Sequence, residues 1–321
     1  LAAPITLNIT ARLSFEQEPA GIRLSPDGQH LLSFRSAEIT VRSMAELSTP
    51  SYKLKAPSGI IHDLAFLPGG RLLAAATDDN QVGLWSFPSG EFKQVVDGRL
   101  NKQGFFKGMF GLSHNQAVFS PDGQYLAALD NDARPVIWET QKYSICSTMD
   151  EQVNDAGPYL MDFSPDSQML VVAHPHATML YHSQTGTKIE RFKAAGKCLA
   201  FHHREKRFAV GLKNSVKLFD PDIEEAEFCS NANDGVNSIH QVMFNGDGRY
   251  LLAAGRTVGA SSKSDVLYAW SLSDEKMMPF VHPEAWPAGA VYKIHFLGPD
   301  KIVLVSKGLK QAVVMDLDFP G

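Results

Sequence analysis

The chain alternates short apolar stretches with polar turns in one recurring order. In its clearest instance Ala117 and Phe119 alternate with Val118, Ser120-Pro121-Asp122-Gly123 turns the chain, and an apolar run returns over residues 126–129. Asp130-Asn131-Asp132 reverses it again, and Val136-Ile137-Trp138 closes the unit. Apolar stretches this short, bounded by turn residues, predict β-strands rather than helices. A fourth strand follows the third, over residues 92–96, 143–146 and 188–192 in three of the units.

The unit is written seven times. An apolar residue two positions before a large anchor recurs as Ile22/Leu24, Leu64/Phe66, Ala117/Phe119, Met161/Phe163, Leu199/Phe201, Val242/Phe244 and Ile294/Phe296. Anchor-to-anchor steps of 42, 53, 44, 38, 43 and 52 residues bracket the roughly 40–45 residues of a four-stranded propeller blade. A tighter ruler runs from each anchor to the closing position of the third strand: Arg42, Trp85, Trp138, Tyr181, Phe219, Trp270 and Met315. Six of those seven intervals are 18 or 19 residues; the sixth is 26, its surplus in the Gly/Ser-rich stretch 256–264.

The turns agree. Ser25-Pro26-Asp27-Gly28, Ser120-Pro121-Asp122-Gly123 and Ser164-Pro165-Asp166-Ser167 follow three anchors directly. Proline presets φ at the first central position and Gly accepts positive φ where the strands re-pair. Leu67-Pro68-Gly69-Gly70 and Asn245-Gly246-Asp247-Gly248 are variants, and His202-His203-Arg204-Glu205 is the weakest match. Small residues dominate several second strands, such as 72–76 and 126–129, as expected of strands buried on both faces. The seventh repeat stops after its third strand, while an orphan strand over residues 9–15 precedes the first anchor. The predicted fold is therefore all-β: a seven-bladed β-propeller of four-stranded antiparallel blades, a single domain over 1–321 anchored near Leu24, Phe66, Phe119, Phe163, Phe201, Phe244 and Phe296. The N-terminal strand completes the last blade and closes the ring, which removes open sheet edges.

This pattern of anchor, Ser-Pro-Asp-Gly turn, small apolar strand, Asp-containing turn and closing Trp resembles the WD-repeat family over essentially the whole chain. Its carriers are Phe119 to Asp122 with Trp138, Phe66 with Trp85, and Phe163 with Tyr181. The resemblance implies that an Asp six residues before the Trp stabilises the second turn. Asp79 and Asp132 match, whereas Pro175, Lys213 and Ser264 depart. The family's Gly-His pair and terminal Trp-Asp dipeptide are missing, which marks a divergent, bacterial-style propeller. The fold hosts many roles.

Composition narrows those roles. With 44% hydrophobic and 20% charged residues and a formal net charge of −5, the chain lacks the basic footprint expected of a nucleic-acid binder. No apolar run approaches the roughly 18 residues of a membrane span. Cys146, Cys198 and Cys229 form neither a disulfide framework nor a zinc spacing. Leu1 in place of a start methionine leans toward an exported, cell-envelope chain; the unpaired cysteines lean toward the cytoplasm.

Catalytic motifs are missing: no Gly-x-Ser-x-Gly elbow, phosphate loop or Gly-x-Gly-x-x-Gly, and Ser113-His114 is an isolated pair. His174 and His176 lie between the second and third strands of repeat four, His202 and His203 in the first turn of repeat five. Those turns emerge at opposite ends of a blade, so the four imidazoles do not converge, and they read as solvent-facing turn residues. Asp78-Asp79-Asn80 and Asp130-Asn131-Asp132 lack the later Gly and Glu of a calcium loop and read as structural turns.

The stronger signal is apolar. The connection between repeats two and three exceeds the repeat and holds Phe105, Phe106, Met109 and Phe110 between glycines. Trp286 sits between prolines in the equivalent connection before repeat seven. Clusters of this composition mark contact surfaces, the competing reading being that they pack on their own blades or plug the channel. Loop charge is also uneven, with Asp78, Asp79, Asp130, Asp132, Glu151 and Asp155 on repeats two to four, and Lys213, Arg256, Lys263, Lys307 and Lys310 on five to seven. The chain thus reads as a non-enzymatic protein-interaction scaffold or accessory subunit of a multiprotein assembly. Its partner is a protein, with no nucleic acid, no cofactor, no metal and no transmembrane segment, and self-association is left open. The alternative is an enzyme, or a small-ligand or metal binder, at the channel mouth, which metal analysis would separate.

Overall fold

A computed structural model describes residues 4–79, 81–97, 117–129, 135–142, 144–149, 160–174, 176–194, 196–212, 215–220, 223–229, 236–257, 265–273, 278, 280–281, 292–306 and 310–320. The fold is all-β, a seven-bladed propeller of antiparallel sheets. Among the described residues there is no helix. The chain divides into two compact units, one of residues 1–24, 45–49 and 196–321, the other of 25–44 and 50–195.

The second unit holds three complete blades. Blade two runs Ile61–Phe66, Leu72–Thr77, Gln81–Ser86, Phe92–Asp97; blade three Val118–Phe119, Tyr125–Leu129, Pro135–Glu139, Ile145–Thr148; blade four Leu160–Phe163, Met169–His174, Ala177–His182, Lys188–Phe192. It also holds the blade-one strands His30–Arg35, Glu38–Ser43 and Tyr52–Lys55. The outer strand of blade three spans Ile145–Thr148, two residues later than the sequence pattern places its start.

Cross-strand pairing explains the 18-to-19-residue ruler. Phe66 pairs with Leu73 and Leu73 with Trp85; Phe119 with Leu126 and Leu126 with Trp138; Phe163 with Leu170 and Leu170 with Tyr181. Anchor, second strand and closing aromatic therefore form one row across each sheet, and a changed interval would break that row. Successive residues of a strand point to opposite faces, and both faces here are dry. In blade two Leu73 and Ala75 pack with Leu32, Phe34, Ile39 and Val41 of blade one, while Ala74 and Ala76 pack with Leu126, Val136 and Trp138 of blade three. Sheets packed against both faces leave little room for bulk, which is why small residues occur on both, Ala75 on one and Ala74 and Ala76 on the other.

The first unit holds blades five to seven. Blade five is Cys198–Phe201, Phe208–Gly211, Val216–Asp220 and Ile223–Cys229. Blade six has three strands among the described residues, Val236–Phe244, Tyr250–Thr257 and Asp265–Ser271. Its long interval lies in the hairpin between the last two, and the row Phe244–Leu251–Trp270 is kept. Blade seven is Tyr292–Gly298, Lys301–Ser306 and Gln311–Asp318, completed by Ile5–Ser14.

The closing strand pairs antiparallel with Gln311–Asp318 from Thr6↔Asp318 to Ser14↔Gln311. It starts earlier than the pattern over 9–15 suggests. Ile5, Leu7, Leu13 and Phe15 are all buried. Its outer edge is in turn covered at the start by the short strand Phe280–Val281, parallel, through Ile5↔Phe280 and Thr6↔Val281.

Candidate protein-interaction site

Each blade has two ends. At one end the first-to-second-strand turns are tied down by a repeated bond set. The Ser25 amide donates to His30 O at 2.9 Å and Gly28 N to Ser25 O at 2.8 Å; Ser120 with Tyr125 and Gly123, and Ser164 with Met169 and Ser167, repeat this at 2.8–2.9 Å. The hydroxyls of Ser120 and Ser164 donate to Asp122 and Asp166 at 2.6 Å, and that of Ser25 to Asp27 at 2.5 Å. Asp27 titrates below its usual 3.8 because it accepts first from Ser25 Oγ and then from the Gln29 amide.

Neighbouring turns of this end touch within each unit. Asp122 N donates to Ser167 Oγ at 3.1 Å, between blades three and four. Gly246 N donates to Asp300 Oδ1 at 3.2 Å, between six and seven. His202 Nε2 lies 3.1 Å from Gly248 O, between five and six. Within each unit, then, turns of this end are hydrogen-bonded to their neighbours.

His202 corrects the sequence expectation of a solvent-facing turn residue. It is 4% exposed because its ring fills the position that Ser occupies in other repeats and packs edge-on against Phe244. His203 and His176 are exposed as expected.

At the opposite end the second-to-third-strand turns meet the connections between blades. In the second unit the turn after Leu72–Thr77 shows how such a connection is held. Asp78 Oδ1 accepts the Ile60 amide at 2.7 Å, Asp78 N donates to Ile60 O at 3.0 Å, and Thr77 Oγ1 donates to Asp79 Oδ1 at 2.5 Å. Asp78 and Asp79 thus serve a structural turn, as read from the sequence. Gly59 is required beside them: its φ is +68°, and a Cβ there would sit 2.6 Å from Asp78 Oδ1. Among the described residues no three His, Cys, Asp or Glu side chains are grouped to hold a metal ion.

Ile60, held rigidly by these bonds, is 50% exposed. Sequence reading missed it, since a single Ile in a connection carries no pattern. Phe92, Ile145 and Ile189, on the outer strands of blades two, three and four, are the other large apolar side chains left open among the described residues.

Of the residues singled out for partner contact, Phe105, Phe106, Met109, Phe110 and Trp286 lie outside the described residues. So do Asp130, Asp132, Glu151, Asp155, Lys213, Lys263 and Lys307 of the charged rim. Lys310 is described, with its carbonyl accepting the Phe15 amide at 2.7 Å. Cys198 is buried and its thiol is pushed up by that burial; Cys146 is raised by burial and by Glu139. Neither is activated as a nucleophile, which needs a depressed thiol.

Comparison with known proteins bears on the same segments. Residues 48–86 match the family profile described as WD domain, G-beta repeat. That stretch contains the last strand of blade one and the first three of blade two, so the repeat is offset from the blade by one strand. The same offset is what leaves the seventh sheet to be completed from the N-terminus. The chain is 27% identical over 161 residues to Protein HIR1 of Mycosarcoma maydis, covering 47% of this chain and 14% of that protein. It is 28% identical over 148 residues to Transducin beta-like protein 2 of Homo sapiens, covering 42% of this chain and 32% of that protein. The chain therefore spans a third or less of either relative. Neither relative is bacterial, so the expected bacterial character is not borne out. Among the described residues no helix is long and apolar enough to cross a membrane.

Proposed function

We propose that this chain, a divergent member of the WD-repeat family, is a non-enzymatic scaffold or accessory subunit that takes a protein partner at the connection end of its blades. In its second unit that contact is made by Phe105, Phe106, Met109 and Phe110 together with Ile60, and in its first unit by Trp286. The observation that carries this reading is the contrast between the two ends. The turns of the Ser-Pro-Asp-Gly end are bonded to their neighbours within each unit, whereas the connection end presents a half-exposed Ile60 on a backbone pinned by Asp78. Rigid apolar side chains of this kind bind with little ordering cost, and the aromatic and Met content of the neighbouring connection is that of interface cores. Extending this to an assembly rests on the family, whose propellers serve as binding platforms.

The test is a double substitution, Phe106→Ser with Phe110→Ser, in the full chain. Partner recovery is expected to fall by about tenfold or more, since central apolar contacts are worth at least roughly 1–2 kcal/mol each, with the unfolding midpoint unchanged. Undiminished recovery would place the contact elsewhere.

A further inference from the structure

In blades one, three, four and six the residue after the anchor is Ser25, Ser120, Ser164 or Asn245. Its side-chain oxygen accepts the amide five positions on at 2.8–2.9 Å. None of those oxygens gains or loses a proton near neutrality. Blade five carries His202 there. Nδ1 of His202 accepts the Arg204 amide at 3.2 Å and the Glu205 amide at 3.0 Å. A ring nitrogen accepting from two amides bears no proton, so the neutral ring keeps its proton on Nε2, which donates to Gly248 O in the first turn of blade six. The ring is fixed further by stacking on His203, with centroids 5.0 Å apart, and by the edge-on contact with Phe244 at the same distance.

We infer that His202 is a proton-released clasp: neutral, it holds the first turn of blade five and ties it to blade six, and on protonation it lets the turn go. The doubly protonated ring has no acceptor left. Its Nδ1–H would face two backbone N–H groups, and no rotation of the ring offers either amide a partner.

The charged groups around it leave this balance in place. Arg207 Nε lies 3.2 Å from Glu205 Oε2 and 3.4 Å from Asp220 Oδ2, so Arg207 is shared between two carboxylates and Glu205 is already paired. On the blade-six side Asp247 and Arg249, flanking Gly248, pair with each other at 2.5 Å. Burial lowers the His202 pKa below 6.5, with His203 and Arg207 adding to it and the Gly248 bond and Glu205 opposing. The sign follows. A lowered folded value means that the unfolded chain takes up the proton first. The clasp's contribution is complete above about pH 6.5 and declines as the pH falls toward the folded value.

Hydrogen exchange of the full chain at pH 7.5 and 5.5, corrected for the intrinsic pH dependence, tests this against His202→Ser, which puts at this position the side chain of blades one, three and four and leaves no group that titrates in this range. In the wild type, protection at residues 203–206 is expected to drop about tenfold on acidification, the equivalent of losing one to two hydrogen bonds; in His202→Ser it stays level. Nitrogen-15 spectra of the wild type at pH 7.5 provide a reading independent of the variant's folding, and are expected to show His202 protonated on Nε2 alone. An equal pH response in the two proteins, or an Nδ1-protonated ring at neutral pH, would overturn the inference.

Discussion

Leu7→Ala probes the closure of the seventh blade. Leu7 is 1% exposed, pairs with Leu317, and belongs to a cluster with Ile5, Ile294, Leu304, Val313 and Met315. Truncating it removes a buried side chain and leaves a cavity lined by strands that cannot collapse without breaking the ladder, which costs about 2–5 kcal/mol. Asn8, adjacent and exposed, is the control: Asn8→Ala is expected within about 0.5 kcal/mol of wild type. Equilibrium denaturation in urea, followed by tryptophan fluorescence, reads both; Trp270 of blade six lies in the same unit. Removing residues 1–15 withdraws four buried side chains, Ile5, Leu7, Leu13 and Phe15, worth together about 6–12 kcal/mol. That matches the whole stability of an ordinary domain, so the shortened chain is not expected to be recovered as a folded monomer. Leu7→Ala behaving like Asn8→Ala, or a stable monomer without residues 1–15, would refute the closure.

Two further outcomes follow from the turns. Gly59→Ala places a methyl in a left-handed backbone and against Asp78; it is expected to lower stability by about 1–3 kcal/mol, read as a reduced urea midpoint. Ser25→Ala removes the first cause of the depressed Asp27 carboxylate, so NMR titration should find Asp27 nearer 3.8. The sign is that of a lowered acid: the bond's contribution is present above the unfolded value and fades as the pH falls through the folded one. The variant should therefore lose less stability on acidification than the wild type.

The blade rows were legible because they are written at fixed separations. Phe66, Leu73 and Trp85 must stand opposite one another, and any insertion has to fall where it leaves the row intact, as in the blade-six hairpin. The offset N-terminal strand was legible for the same reason. His202 was not, because its role depends on Gly248, 46 residues away, and on a ring nitrogen that accepts the Arg204 and Glu205 amides where the hydroxyls of other blades accept the amide five positions on. Ile60 was not, since exposure in a connection is decided by the Asp78 bonds that hold it and not by any local pattern. Nor did the pattern foresee Phe280–Val281 lying parallel to the closing strand, a pairing with no counterpart among the described residues of the other repeats. The aromatic connection and Trp286 were visible in composition alone, which indicates apolar contact without saying what is contacted.

The claim on which the functional reading stands is that partners meet the connection end of the blades. Mapping the footprint of a co-purified partner by hydrogen exchange on the full chain tests it most directly. Protection is predicted over residues 56–60, 99–116 and 282–291, with the turns at 25–28, 120–123 and 164–167 unchanged. A footprint centred on those Ser-Pro-Asp turns, with the aromatic connection untouched, would contradict it.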